Sequence, residues 1–181
     1  MKTATYLLAV ATLLVAPSLS AAQSAIVSGV QASAGELSPE VQWYVGRGDE
    51  LAGRLRYDAA AREYARATDI ARRDGHLASG TTWMLATAHY YNGNLVGAAA
   101  ALDQLTDEAA LVGDLEVEAL SIYYAAWLDG KAGRSAEVAA RVARLEGLLG
   151  SQYIPVALRD RLSGWLRDSR EVADRAVTPA G

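Results

Sequence analysis

The chain has 181 residues, 51% of them apolar and 21% charged, with a net charge of −4. That is enough apolar material for one folded domain, and it excludes a disordered chain. Cysteine and phenylalanine are absent and there are four prolines. Disulfides and thiolate metal sites are therefore excluded, and the abundance of alanine favours helix over sheet.

The N-terminus reads as an export signal. Lys2 gives a positive start, Tyr6 to Ala16 is an apolar run, and Ser20-Ala21-Ala22 supplies small residues for cleavage before Gln23. The run is shorter than the roughly 20 residues a membrane-spanning helix needs. No later segment has a charge-free apolar run of that length. Residues 1–22 are expected to be a signal peptide and 23–37 a flexible leader. The processed chain is expected to be periplasmic or secreted, with no lipid-modified cysteine.

An all-helical domain is expected over residues 38–176. Ser38-Pro39-Glu40 opens a first helix that runs to Leu55, because Ser caps, Pro fits the first turn and Glu meets the positive end of the dipole. The second begins at Asp58, read as its cap, and ends at Asp74-Gly75. The third covers Leu77 to Tyr91 and stops at Asn92-Gly93-Asn94. The fourth covers Leu95 to Val112, closed by Gly113. The fifth runs from Asp114 to Asp129-Gly130. Ser135, read as a cap, opens a sixth that reaches Leu149. Pro155 opens a seventh to Ala176, with Leu158, Leu162, Trp165 and Leu166 on one stripe. Residues 177–181 are expected to fray.

These elements repeat. Gly48, Ala86 and Ala126 are small residues midway along the first, third and fifth helices. Ala60, Ala98 and Val138 each follow twelve positions later, Tyr64, Leu102 and Val142 four positions after those, and Ala67, Leu105 and Leu145 three further on. The internal spacing is held while the step from Ala86 to Ala126 is two positions longer than that from Gly48 to Ala86. Stacked helical hairpins behave in this way. The second-helix residues fall at i, i+4 and i+7, one helix face.

Gly48-x2-Leu51 with Tyr57-x2-Ala60-x3-Tyr64-x2-Ala67 resembles the tetratricopeptide repeat family. So do Ala86 with Gly93-x-Leu95-x2-Ala98-x3-Leu102-x2-Leu105 and, less closely, Ala126, Gly133, Val138, Val142 and Leu145. The match extends over about Val41 to Gly150. The family period is about 34 residues. Here each hairpin is four to six residues longer, and the proline at the family's repeat junction is missing. The resemblance implies a right-handed α-solenoid of about three hairpins with the seventh helix as a C-terminal cap. It implies a concave face lined by the first helix of each pair and a protein or peptide partner. It implies no catalytic residue and no cofactor.

Trp83, Thr87, Tyr90 and Tyr91 lie away from Ala86, and Tyr123 and Trp127 share a face at i, i+4. Two readings stay open. These residues line an aromatic partner-binding groove, since Tyr and Trp anchor many interfaces, or they pack between hairpins as core. A closed pocket around Trp83, Tyr90 and Trp127 would instead suit a small apolar or sugar-like ligand.

From Asp74 to Gly130 there is no Lys or Arg, against eight acids: Asp74, Asp103, Asp107, Glu108, Asp114, Glu116, Glu118 and Asp129. This argues against nucleic-acid binding and for either a solvated acidic face or one that guides a basic partner. His76 and His89 are too isolated to hold zinc, which takes three or four ligands. Glu116 and Glu118 diverge on a helix, the serines lack a GxSxG elbow, and Gly46-x-Gly48 lacks the third glycine of a dinucleotide loop. Arg47-Gly48-Asp49 falls inside a helix, where an adhesion tripeptide would not be displayed.

Overall fold

A computed structural model describes residues 38–177, and the side chains as far as residue 167. The expected signal peptide, the leader and the tail from residue 178 lie outside the described residues. Those residues form seven helices and no strand: α1 (Pro39–Gly53), α2 (Tyr57–Arg73), α3 (Ser79–Tyr91), α4 (Leu95–Val112), α5 (Leu115–Lys131), α6 (Ser135–Leu149) and α7 (Val156–Val177). The protein is all-α. Each helix packs chiefly on its neighbours in the chain.

The helix starts follow local chemistry. The side chain of Ser38 accepts from the Val41 amide, Asn94 from Gly97 at 2.9 Å and Asp114 from Val117 at 3.0 Å, each satisfying an amide with no intrahelical partner. Two expected caps fall elsewhere. α2 starts at Tyr57 with Arg56 in the cap position, so Asp58 is already helical and pairs with Arg62 one turn on. α6 starts at Ser135 with Arg134 in the cap position, and the Arg134 side chain reaches Glu137 and Asp129. α1 ends two residues before Leu55, which sits in the turn.

The small residues found by spacing are buried. Ala60, Ala67, Ala98, Leu105 and Leu145 are 0% exposed, and Ala86, Leu102 and Ala126 nearly so. Val138 and Val142 are half-buried on α6, which packs chiefly on α5. At Gly48 the close approach is measurable: a Cβ there would lie 2.4 Å from Cε1 of Tyr64. That ring cannot easily yield, since it is buried and its hydroxyl donates to Asp49 Oδ1 at 2.7 Å. Gly48→Ala is expected to destabilise by about 1–2 kcal/mol, overpacking outweighing the gain in helix propensity. Urea unfolding measures it.

Three apolar clusters make the core. Val41, Ala67, Ile70, Ala71 and Ala78 close the first hairpin. Residues of α2 to α5, among them Tyr64, Trp83, Leu102, Leu105 and Trp127, form the middle. Ala119, Ile122, Tyr123, Leu145 and Leu149 meet Ile154, Leu158, Leu162 and Leu166 of the C-terminal end. The stripe read from the sequence of α7 is thus the face that covers α5 and α6.

Candidate functional site

The helices divide by chemistry. Most aromatic side chains stand on α1, α3, α5 and α7, while α2, α4 and α6 are rich in alanine, with Tyr57 and Tyr64 of α2 the aromatic exceptions. Rings join the odd-numbered helices. Trp83 meets Tyr124 edge-on at 5.1 Å, Tyr90 meets Trp127 at 5.4 Å, and Tyr123 meets Trp165 at 4.7 Å. Tyr91 extends the row from Tyr90 to Tyr57, with which it stacks at 5.2 Å, and Lys131 closes it over Trp127 at 4.7 Å. Such edge and offset contacts are the favoured ring geometries.

Of the six residues singled out by sequence, Tyr91, Tyr90 and Trp127 form one chain of ring contacts, Trp83 and Tyr123 meet through Tyr124 in another, and Thr87 lies beside them on α3. Trp83, Tyr123 and Trp127 are buried, at 9%, 5% and 5% exposure. Thr87 and Tyr90 are half-buried, and Tyr91 is 44% exposed. The ring contacts cross from one helical hairpin to the next, and of these six residues Tyr91, Tyr90 and Thr87 are the ones that reach solvent. Sequence reading missed Trp43, 54% exposed on α1 with the Arg47 guanidinium 4.8 Å above its ring. Their i, i+4 spacing was the available signal.

The even-numbered helices are joined by ion pairs. Arg72 of α2 reaches Glu108 of α4 at 2.5 Å. Arg141 of α6 grips Asp103 of α4 through both terminal nitrogens, one at 2.9 Å, and donates from Nε to Asp129 of α5 at 2.7 Å. Arg144 holds Asp107 at 3.2 Å and the buried Glu118 at 3.0 Å. Asp129 is wholly buried, and Arg134 Nη1 stands 3.3 Å from its Oδ1. Burial opposes the charge on Arg141, yet hydrogen bonds and attraction from Asp103 and Asp129 outweigh it and raise its pKa.

The acidic stretch is thus largely neutralised from within. Five of its carboxylates meet arginines from outside the stretch, and Asp114 caps α5. Asp74 and Glu116 are left exposed. Arg141→Ala is expected to destabilise by about 2–3 kcal/mol, below the full cost of breaking a buried pair because Asp129 keeps Arg134. The midpoint of urea unfolding measures it.

Burial pushes the Tyr123 hydroxyl up to about 12, with Tyr124 adding to the shift and Arg161 opposing it. Burial also raises Tyr64, with Asp49 adding to it, and Tyr124. The unfolded phenols ionise near 10. Between pH 10 and 12 the folded chain therefore holds more protons than the unfolded one, and stability falls as pH rises. The contribution is complete below pH 10 and is lost as pH rises through about 12. Phenolate absorbance should show these rings ionising together with unfolding.

His89 is half-buried, with Nδ1 3.3 Å from the Asn94 amide; burial lowers its pKa against the opposing charge of Asp58. His76 is exposed, far along the chain in the α2–α3 loop. Among the described residues no three His, Asp or Glu side chains gather as a metal site, and no helix is long and apolar enough to cross a membrane. In comparisons with family models, curated proteins and solved structures, nothing matches the chain.

Proposed function

We propose that the chain is an exported, tetratricopeptide-like solenoid of three hairpins with α7 as its C-terminal cover, and that it holds a protein or peptide partner in the bacterial envelope. The observation that carries this reading is the division of labour between helices. Ring contacts run from α3 to α5 to α7 and arginine–carboxylate pairs from α2 to α4 to α6, with Arg141 and Arg144 also reaching α5, which supports like helices following one another in two rows. The recurrence of Gly48, Ala86 and Ala126 at nearly equal steps, with the buried alanines that follow them, supports the same arrangement.

In this reading the buried rings are a rigid base, and the rim of Tyr91, Tyr90 and Thr87 touches the partner. Aromatic edges on a rigid base suit peptide or helix recognition because little side-chain freedom is lost on binding. A photo-crosslinking residue at Tyr91 is expected to capture a discrete protein in envelope extracts, whereas the same residue at Arg62 on α2 captures none. Equal capture at both positions, or none at Tyr91, would contradict the assignment.

A further inference from the structure

The turn of the first hairpin differs from its two counterparts. At the repeat-equivalent position the later hairpins carry Gly93 and Gly133, with φ of 77° and 73°, and the first carries Leu55 at φ 59°. Among the described residues Leu55 is the one non-glycine in the left-handed region, which a branched side chain disfavours sterically. Nothing in the fold requires that side chain, since Leu55 is 74% exposed. The turn is nevertheless firmly closed, with Leu55 donating to Ala52 at 2.8 Å and Arg56 to Leu51 at 2.9 Å. Strain kept at an exposed position points to a role outside the fold.

The surroundings indicate what the role is. Arg54 and Arg56 flank Leu55, both exposed and neither in the ion pairs described above. Just behind them lies the Tyr57–Tyr91 stack, Tyr91 partly exposed. In an acidic chain of net charge −4 this turn thus presents two exposed arginines around an exposed leucine, with Glu50 and Asp58 one helical turn or less beyond them. We propose that the Arg54-Leu55-Arg56 turn is a contact site for an anionic lipid surface. Its layering matches a bilayer: Leu55 at the apex enters the acyl region, the two guanidiniums meet lipid phosphates, and the tyrosines lie at the interface. This site borders the partner-binding rim and shares Tyr91 with it, but its apex, Arg54-Leu55-Arg56, is no part of that rim.

The test uses the full chain, which has no native cysteine, with Gly53→Cys carrying an environment-sensitive fluorophore. A Cβ at Gly53 meets no atom within 4 Å, so the label reads the tip without disturbing it and independently of the N-terminus. With phosphatidylglycerol-containing vesicles the label is expected to shift to the blue and be quenched by nitroxide lipids. The response should be at least about tenfold weaker with phosphatidylcholine alone. Leu55→Gly should weaken the response about tenfold or more without lowering Tm, since glycine suits this backbone. Arg54→Gln with Arg56→Gln should remove the preference for anionic lipid. No response to anionic vesicles, an unchanged response in Leu55→Gly, or a lowered Tm in that variant would each overturn the proposal. A response to acidic polypeptide but not to vesicles would overturn it in favour of a protein contact.

Discussion

Trp127→Ala is expected to lower the free energy of unfolding by about 3–5 kcal/mol, the usual loss for removing a buried large aromatic side chain. Trp127 is 5% exposed, contacts Tyr90 of α3 and lies under Lys131. The cavity would open between two hairpins, where backbone on both sides is held by helical hydrogen bonding and cannot collapse readily. Trp83→Ala should behave similarly, since that ring carries the contact with Tyr124. Trp127→Phe is expected to cost less than about 1.5 kcal/mol, as most of the volume stays. It also removes the buried indole N–H, which has no hydrogen-bond partner. Chemical denaturation of the three variants checks the order. Wild-type stability in both alanine variants, with only partner binding lost, would place these rings on the surface.

Ala98→Arg is expected to leave the chain unfolded, with a cost above about 5 kcal/mol, because overpacking and an unpaired buried charge act together. Ala98 is 0% exposed and sits in the middle cluster with Leu102 and Leu105. Ala60→Arg meets the same conditions in the preceding hairpin. Glu116→Gln, on the exposed face of α5, should stay within about 0.5 kcal/mol of wild type. Circular dichroism and thermal melts separate these outcomes. A folded Ala98→Arg protein would mean that this alanine faces water.

Much of the fold was legible because glycine, asparagine and aspartate mark the helix junctions and because residues of matching size recur at fixed spacing. The bounds of α4 and the end of α6 agree with the sequence reading to the residue. The errors arose where side chains had competing uses. Asp58 and Ser135 are good caps in isolation, but Arg56 and Arg134 took those positions, freeing Asp58 to pair with Arg62. The ring cluster was visible as a set, but its depth was not, since helical spacing is the same for a groove and for an interface between hairpins. The ion pairs were missed altogether. The acidic stretch appeared unbalanced because its cations lie in other helices, Arg141 and Arg144 being 38 and 37 residues beyond Asp103 and Asp107. Those separations are close to the repeat interval, so applying the interval to charged residues would have found them.

The linear order of the hairpins is tested most directly by a distance between the first and last odd-numbered helices. Spin labels at Gly46→Cys on α1 and Ser163→Cys on α7 can be placed without competition, since the chain lacks cysteine and Ser163 is exposed. Three steps of roughly 8–10 Å between packed helices predict a separation of about 25–30 Å. A separation of about 10 Å, one helix–helix step, would mean that α1 returns to α7 in a closed bundle, and would contradict the account.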